Sequence, residues 1–311
     1  MSATYRILNE IIANIEKVMI GKRNVIILAL AALAGEGHLL VEDVPGVGKS
    51  TLVAALAKSV NGVFKRVSFT PDVLPSDITG YNIYNRKTEE FEFRSGAVDC
   101  NFLLADEINR TSPKTQSSLL EAMQEGSVSV EGVTRSLHKP FMVMATQNPV
   151  EHLGTYPLPE AQLDRFFMKI SIGYPASKDE SEIVMMQSAG KDIRELEAVA
   201  SLKDVIQIQQ EVKETHLEED LAAYIVRIAE ATRTNPSVSL GISPRGSVAL
   251  GRAAKAFAFM KGRQYVLPED IKEAAVPVLS HRIILNREVR AKGYTAEALI
   301  QYILSSVSIG I

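Results

Sequence analysis

The chain predicts an α/β fold, a three-layer α/β/α core around a parallel sheet followed by an all-helical domain, and three observations predict it. Short apolar runs alternate with helix-spaced segments through the first half, the first run ends in a glycine-rich turn that opens a helix, and strand signals stop around Gly173-Tyr-Pro175. At 311 residues the chain exceeds a usual single core, so two domains are expected, 1–174 and 175–311.

Apolar residues at three- and four-residue spacing place two helices, Tyr5 to Met19 and Arg23 to Leu33, before the sheet. Strands are expected at His38 to Glu42, Phe64 to Phe69, Asn101 to Ala105, Phe141 to Thr146 and Met168 to Ile172. Most are continuously apolar, as strands buried on both faces are. Helices are expected at Ser50 to Val60 and at Pro113 to Glu125, where Ser112 reads as the N-cap and Pro113 as the first helical residue. Tyr81 to Phe93 and Ser127 to Leu137, the latter turning at Glu131-Gly132, read as hairpins, either partner-binding insertions or covers for the sheet edge. After Pro175 every segment reads as helix: Lys178 to Ser188, Leu202 to Val212, Glu218 to Thr232, Pro244 to Met260, Pro268 to Leu279 and Thr295 to Val307.

Asp43-Val-Pro-Gly-Val-Gly-Lys-Ser50 lies between an apolar strand and a helix, the setting of a phosphate-binding loop. Glycines let backbone N–H groups turn inward around phosphate oxygens, and the helix N-terminus adds partial positive charge. Pro45, Gly46, Val47, Gly48, Lys49, Ser50 and Thr51 form the expected cradle, with Lys49 for the β/γ phosphates and the Ser50 hydroxyl for Mg²⁺. The expected ligand is a nucleoside triphosphate. Asp43 stands where the pattern has glycine, which would restrict the backbone there.

Asn101-Phe-Leu-Leu-Ala105 runs into Asp106-Glu107, two carboxylates at the mouth of a buried strand. Packing alone does not explain them, because unpaired buried charge is costly. Asp106 suits Mg²⁺ through its water shell, and Glu107 suits activation of the attacking water. Asn148, beyond the strand Phe141 to Thr146, is placed to hydrogen-bond the γ-phosphate or that water. Arg165 either stabilises transition-state charge or pairs with Asp164 or Glu160. Arg245 follows Ser243-Pro244 in the first turn of a helix, where a cation opposes the helix dipole unless phosphate is near. Arg110 and Lys114 face either a neighbouring subunit or water.

With a net charge of −3 and a pI near 6.0, the chain has no global basic character to drive nucleic-acid binding. Cys100 alone excludes an intramolecular disulfide and fits a reducing compartment, so a cytoplasmic location is expected. No signal peptide is read at the N-terminus, and the apolar window Val25 to Ala34 is too short to span a bilayer. The five histidines show no metal-ligand spacing.

Val44-Pro-Gly-Val-Gly-Lys-Ser50, Leu103-Leu-Ala-Asp-Glu-Ile-Asn-Arg-Thr111, Leu119-Leu-Glu-Ala-Met-Gln-Glu125, Ala145-Thr-Gln-Asn-Pro149, Pro159-Glu-Ala-Gln-Leu-Asp-Arg-Phe166 and Ser243-Pro-Arg245 together closely resemble the MoxR family of AAA+ ATPases over nearly the whole chain. The resemblance implies a Walker A motif at Gly46 to Ser50, a Walker B motif at Asp106 and Glu107, sensor 1 at Asn148, a finger at Arg165 and sensor 2 at Arg245. It implies that Ile20-Gly21 lies against adenine and that the two hairpins are the helix-2 insert and the pre-sensor-1 hairpin. It further implies Mg²⁺-dependent ATP hydrolysis in a ring, commonly hexameric, and chaperone-like remodelling of partner proteins, which often carry von Willebrand factor A domains. Two other readings stand beside it. One is an ATP-dependent binding module that hydrolyses only when a partner stimulates it; the other is a helicase- or chelatase-type motor.

Overall fold

The computed structural model describes residues 3–147, 155–188, 190 and 193–310. Helices α1 (Ala3–Glu16) and α2 (Arg23–Ala34) precede β1 (Leu39–Glu42), from which the chain enters α3 (Lys49–Ser59) and β2 (Phe64–Ser68). The short α4 (Pro75–Thr79) leads into a hairpin, β3 (Gly80–Asn85) and β4 (Glu90–Ser95), then β5 (Phe102–Asp106) and α5 (Pro113–Glu125). A second hairpin, β6 (Ser127–Val130) and β7 (Val133–Ser136), precedes β8 (Met142–Gln147), α6 (Glu160–Leu163) and β9 (Met168–Ile170). There follow α7 (Ser177–Ser188), α8 (Leu202–Glu214), α9 (Glu219–Thr234), β10 (Val238–Leu240), α10 (Pro244–Met260), α11 (Pro268–Leu279), β11 (Ile284–Leu285), α12 (Arg287–Ala291) and α13 (Ala296–Ser306).

The main sheet is wholly parallel, in the order β2-β5-β8-β1-β9, with Leu39 opposite both Met144 and Met168. Successive strand residues point to opposite faces, and both faces are covered. Leu39, Val41, Leu104, Met144 and Ile170 pack with α1 to α3 and share one apolar cluster with α8 to α11. Leu40, Leu103, Ala105, Val143 and Ala145 pack instead with α5 and with Phe69, Ile78 and Cys100. The apolar runs are therefore continuous because each alternate residue has its own core.

The expectation of helix alone after Pro175 needs one correction. Strands β10 and β11 pair antiparallel as a small ribbon among the helices. Three and two residues are too few to set up a readable alternation, which needs four or more. Among the described residues no helix is long and apolar enough to cross a membrane.

Helix α5 starts as its sequence dictates: Ser112 caps it by accepting from the Thr115 N–H, Pro113 opens it, and Gly126, at φ 60°, closes it. The chain passes directly from Gly126 into the β6–β7 hairpin. The two hairpins touch: Asn82 donates to Glu131 at 2.7 Å, and the Arg135 guanidinium lies 3.8 Å from the Phe93 ring centre.

His38, just before β1, joins three elements. Its Nδ1 accepts from the Val143 N–H and its Nε2 donates to the Met123 carbonyl. Burial pushes its pKa down to about 4, against the Met123 hydrogen bond and with help from the charge of Arg252. A folded pKa below the unfolded value means that the unfolded chain takes up the proton first. The stability contributed by neutral His38 is thus complete above about pH 6.5 and is lost as pH falls toward 4. Between pH 7 and pH 5 this amounts to about 2 kcal/mol. Urea unfolding at both pH values should show the loss, and His38→Gln, whose amide keeps a donor and an acceptor without titrating, should remove that part of it.

Candidate active site

The site forms at the C-terminal mouth of the sheet, where β1, β5 and β8 end. Gly46 and Gly48 have φ of +85° and +95°, a region that side chains disfavour, and a Cβ added at Gly46 would project into open space. Gly48 is the N-cap of α3, so Lys49, Ser50 and Thr51 form the first turn, whose N–H groups lack intrahelical acceptors. Lys49 Nζ donates to the carbonyls of Asp43 at 2.9 Å and Val44 at 3.2 Å. Pro45, Gly46, Gly48, Lys49, Ser50 and Thr51 line a cavity of about 430 Å³ with Arg66, Asp106, Glu107 and Thr146. Free amides of the first helical turn, a lysine, a hydroxyl and a carboxylate form a set that fits a triphosphate with its divalent cation.

Asp43, where the pattern has glycine, is not among the described residues with positive φ, so its side chain meets no left-handed backbone there. Its buried carboxylate accepts from the Ile172 N–H at 2.6 Å, the Gly173 N–H at 2.7 Å and the Ser171 hydroxyl at 2.9 Å. This ties the start of the loop to the chain leaving β9. Burial works to raise the Asp43 pKa, but hydrogen bonds from Gly173, Ser171, Ile172 and Val44 outweigh it and hold the carboxyl below its ordinary range.

Asp106 and Glu107 lie in the same cavity, each engaged by an arginine. Asp106 accepts from Arg66 at 2.6 Å and from the Thr146 hydroxyl at 2.7 Å. Glu107 pairs with Arg110 at 2.9 Å, so Arg110 faces this carboxylate, while Lys114 is exposed. Glu107 sits at φ 59°, ψ 48°, a left-handed conformation that costs a non-glycine residue about 1–2 kcal/mol. Its N–H donates to the Thr146 oxygen at 2.8 Å, which holds the strained residue in place. Asn148 lies outside the described residues.

Beside the phosphate cradle is a second cavity of about 450 Å³, lined by Ile20, Gly46, Val47, Gly48, Thr51 and Tyr174 and by Ile183 and Met186 of α7. Ile20 is therefore next to the loop. Gly21 does not line the cavity; at φ +70° it allows close approach of Asp179, whose carboxylate would lie 2.0 Å from an added Cβ. Helix α7 has no buried residue, and its Ile183, Val184 and Met186 line this cavity. A larger cavity, about 540 Å³ between α2, β9 and α11, contains none of the phosphate-loop residues.

Arg165 and Arg245 line neither cavity. They meet at a separate one of about 230 Å³, beside Gly37, His38, Asp164, Arg252 and Arg282. His38 precedes β1 and the phosphate loop follows it, so four strand residues, about 13 Å, separate the two ends. Arg165 does not pair with Asp164 or Glu160, and neither Arg165 nor Arg245 has a side-chain hydrogen bond or ion pair among the described residues. Arg66 and Thr146 are site residues that sequence reasoning missed. Thr146 ends an apolar strand at the mouth as Asp106 does, which was a readable sign; Arg66 sits in a strand of mixed polarity and gave none.

This fold and site define a P-loop NTPase core with a helical lid, and comparison with known proteins agrees. The ATPase family associated with various cellular activities (AAA) matches residues 38–168, and the AAA lid domain matches residues 230–303. The chain is 40% identical over 318 residues to Chaperone MoxR1 of Mycobacterium tuberculosis, covering 99% of this chain and 84% of that protein. It is 53% identical to the uncharacterized protein YeaC of Bacillus subtilis, across 97% and 95% of the two chains. A solved structure from Cytophaga hutchinsonii superposes with a TM-score of 0.92 at 42% identity, covering 98% of this chain and 95% of that one. The chain belongs to the MoxR family of AAA+ ATPases.

Proposed function

We propose that this chain is a Mg²⁺-dependent ATPase whose sites are completed between subunits of a homo-oligomer, and that turnover moves the lid, 175–311, against the nucleotide-binding part, 1–174. The observation that carries the reading is the separation of parts. Phosphate cradle and carboxylates share one end of the sheet, while two arginines without a side-chain partner among the described residues stand at the other. An arginine at the far end reaches a γ-phosphate only in another subunit's site.

In this reading the loop amides and Lys49 bind the phosphates, and Ser50 and Asp106 hold Mg²⁺, which neutralises charge on the phosphate oxygens. Glu107 orients the attacking water and takes its proton, with Asn148 beside it. Arg165 of the adjacent subunit meets the charge developing on the transferred phosphoryl group, and Arg245 senses the same phosphate. The base occupies the cavity bounded by Ile20 and α7. A ring of six, a cytoplasmic location and clients or adaptors with von Willebrand factor A domains complete the proposal. The mildly acidic charge disfavours a nucleic-acid motor.

The test is phosphate release per subunit over a wide range of protein concentration with Mg-ATP, against Glu107→Gln as blank. Turnover that rises with concentration is expected; turnover independent of it would remove the shared site. Thr146→Val should lower kcat roughly tenfold to a hundredfold with ATP affinity kept, since it frees both Glu107 and Asp106 from their common anchor. Stopped-flow binding and steady-state turnover separate the two effects. The Glu107–Arg110 pair favours a second reading, a nucleotide-dependent binding module in which a partner must release Glu107 before hydrolysis begins. Negligible turnover at every concentration, with ATP bound, would select it.

A further inference from the structure

We infer that Asp164 is a positioning residue that joins Arg165 of the core and Arg245 of the lid into one two-cation unit, presented together to a neighbouring subunit. The inference rests on the reading above that both arginines act in trans.

The two arginines belong to different parts of the chain, and the polar link between them runs through Asp164. One carboxylate oxygen accepts from the Ser243 hydroxyl at 3.0 Å, and the other from Arg282 Nε at 2.8 Å. Ser243 is also the N-cap of α10, its oxygen accepting from the Gly246 N–H at 3.3 Å. Arg245 follows two residues later in the first turn, so the bond that anchors the cap also sets where Arg245 stands. Arg282 works from the other side. Its buried guanidinium donates to the carbonyls of Asp164 at 3.2 Å, Phe166 at 2.5 Å and Phe167 at 3.2 Å. These groups bracket Arg165, whose backbone is gripped while its side chain makes no hydrogen bond or ion pair among the described residues.

Charge points the same way. Four arginines, 165, 245, 252 and 282, line this cavity with only two carboxylates, Glu36 and Asp164. Asp164 is committed to Arg282 and Arg252 to the carbonyls of Gly35 and Glu36, which leaves the charges of Arg165 and Arg245 available to an anion. A buried arginine–carboxylate pair adds little net stability over an apolar pair of similar shape. What it supplies here is a fixed relation between lid and core at the point where both cations emerge.

Ser243→Asp tests this, because aspartate keeps an N-cap oxygen while setting a second carboxylate against Asp164. The expected result is a fall in kcat of roughly tenfold or more with the KM for ATP unchanged. Ser243→Thr, which retains the hydroxyl, should stay within about twofold of the parent protein. If Ser243→Asp lowers the melting temperature, Ser243→Gly replaces it with the same expectation, since glycine serves well as an N-cap. Mixed oligomers then locate the defect. Subunits carrying Glu107→Gln have intact arginines and no water activation, so mixing them with Ser243→Asp subunits should restore turnover above either alone. An Arg165→Ala mixture with Glu107→Gln is the control. Restoration in the control but not with Ser243→Asp, or full kcat in Ser243→Asp alone, would overturn the role of Asp164. No restoration in either mixture would overturn the trans reading, and this inference with it.

Discussion

Glu107→Gln should lower phosphate release by about 10²–10⁴-fold while ATP binding stays within about twofold of the parent protein. The amide matches the carboxylate in size but cannot accept a proton. The rest of the geometry survives, because the left-handed backbone is held by the Glu107 N–H bond to Thr146, which does not involve the side chain. Arg110 loses its ion pair, but both partners are partly exposed, and such a pair contributes about 0–1 kcal/mol. A fluorescent ATP analogue measures binding, and single-turnover hydrolysis measures the chemical step. Unaltered hydrolysis would remove Glu107 from the role of base; lost binding would mean that it holds the cradle instead.

Arg165→Ala should cost about 10³-fold in kcat, the lower end of what a phosphate-facing arginine contributes. Two structural facts make the variant clean. Arg165 has no side-chain hydrogen bond or ion pair among the described residues, so its removal leaves no buried partner unpaired. It also lines neither the phosphate-loop cavity nor the one beside Ile20, so ATP affinity should hold. Parallel measurement of kcat and of analogue binding decides the matter. Weakened ATP binding in the isolated subunit would place Arg165 in its own subunit's site and end the trans assignment.

Much of the fold was legible because its signals are local. Helices α5, α10 and α11 match their expected limits, since each has proline at the first helical position and a clear end to its apolar spacing. Strands β1, β5 and β8 were readable because two covered faces leave no polar alternation, whereas β2 and β9 carry Lys65, Arg66 and Lys169 among their apolar residues. Ribbon β10–β11 and the short helices α4 and α6 were not, being too brief to establish a period. The phosphate loop and the paired acids stood out for the same local reason. What escaped is long-range: Asp43 meets Ser171 from 128 residues away, and Arg66 reaches Asp106 across neighbouring strands. Likewise, nothing in the spacing of Arg165 and Arg245 told that they share a cavity, or that α7 lines the cavity beside the phosphate loop.

Helix α5 has a mechanical consequence. It begins six residues after Glu107 and ends at the β6–β7 hairpin, and its 13 residues make a rod of about 20 Å. A rod pivoting near Ser112 multiplies angle into distance: a tilt of about 10° would carry its far end roughly 3 Å. Because Asn82 and Arg135 lash the two hairpins together, that stroke would drag both as a single pad. A small adjustment around one carboxylate could therefore leave the subunit as a displacement comparable to an atomic diameter, delivered at a surface remote from the chemistry.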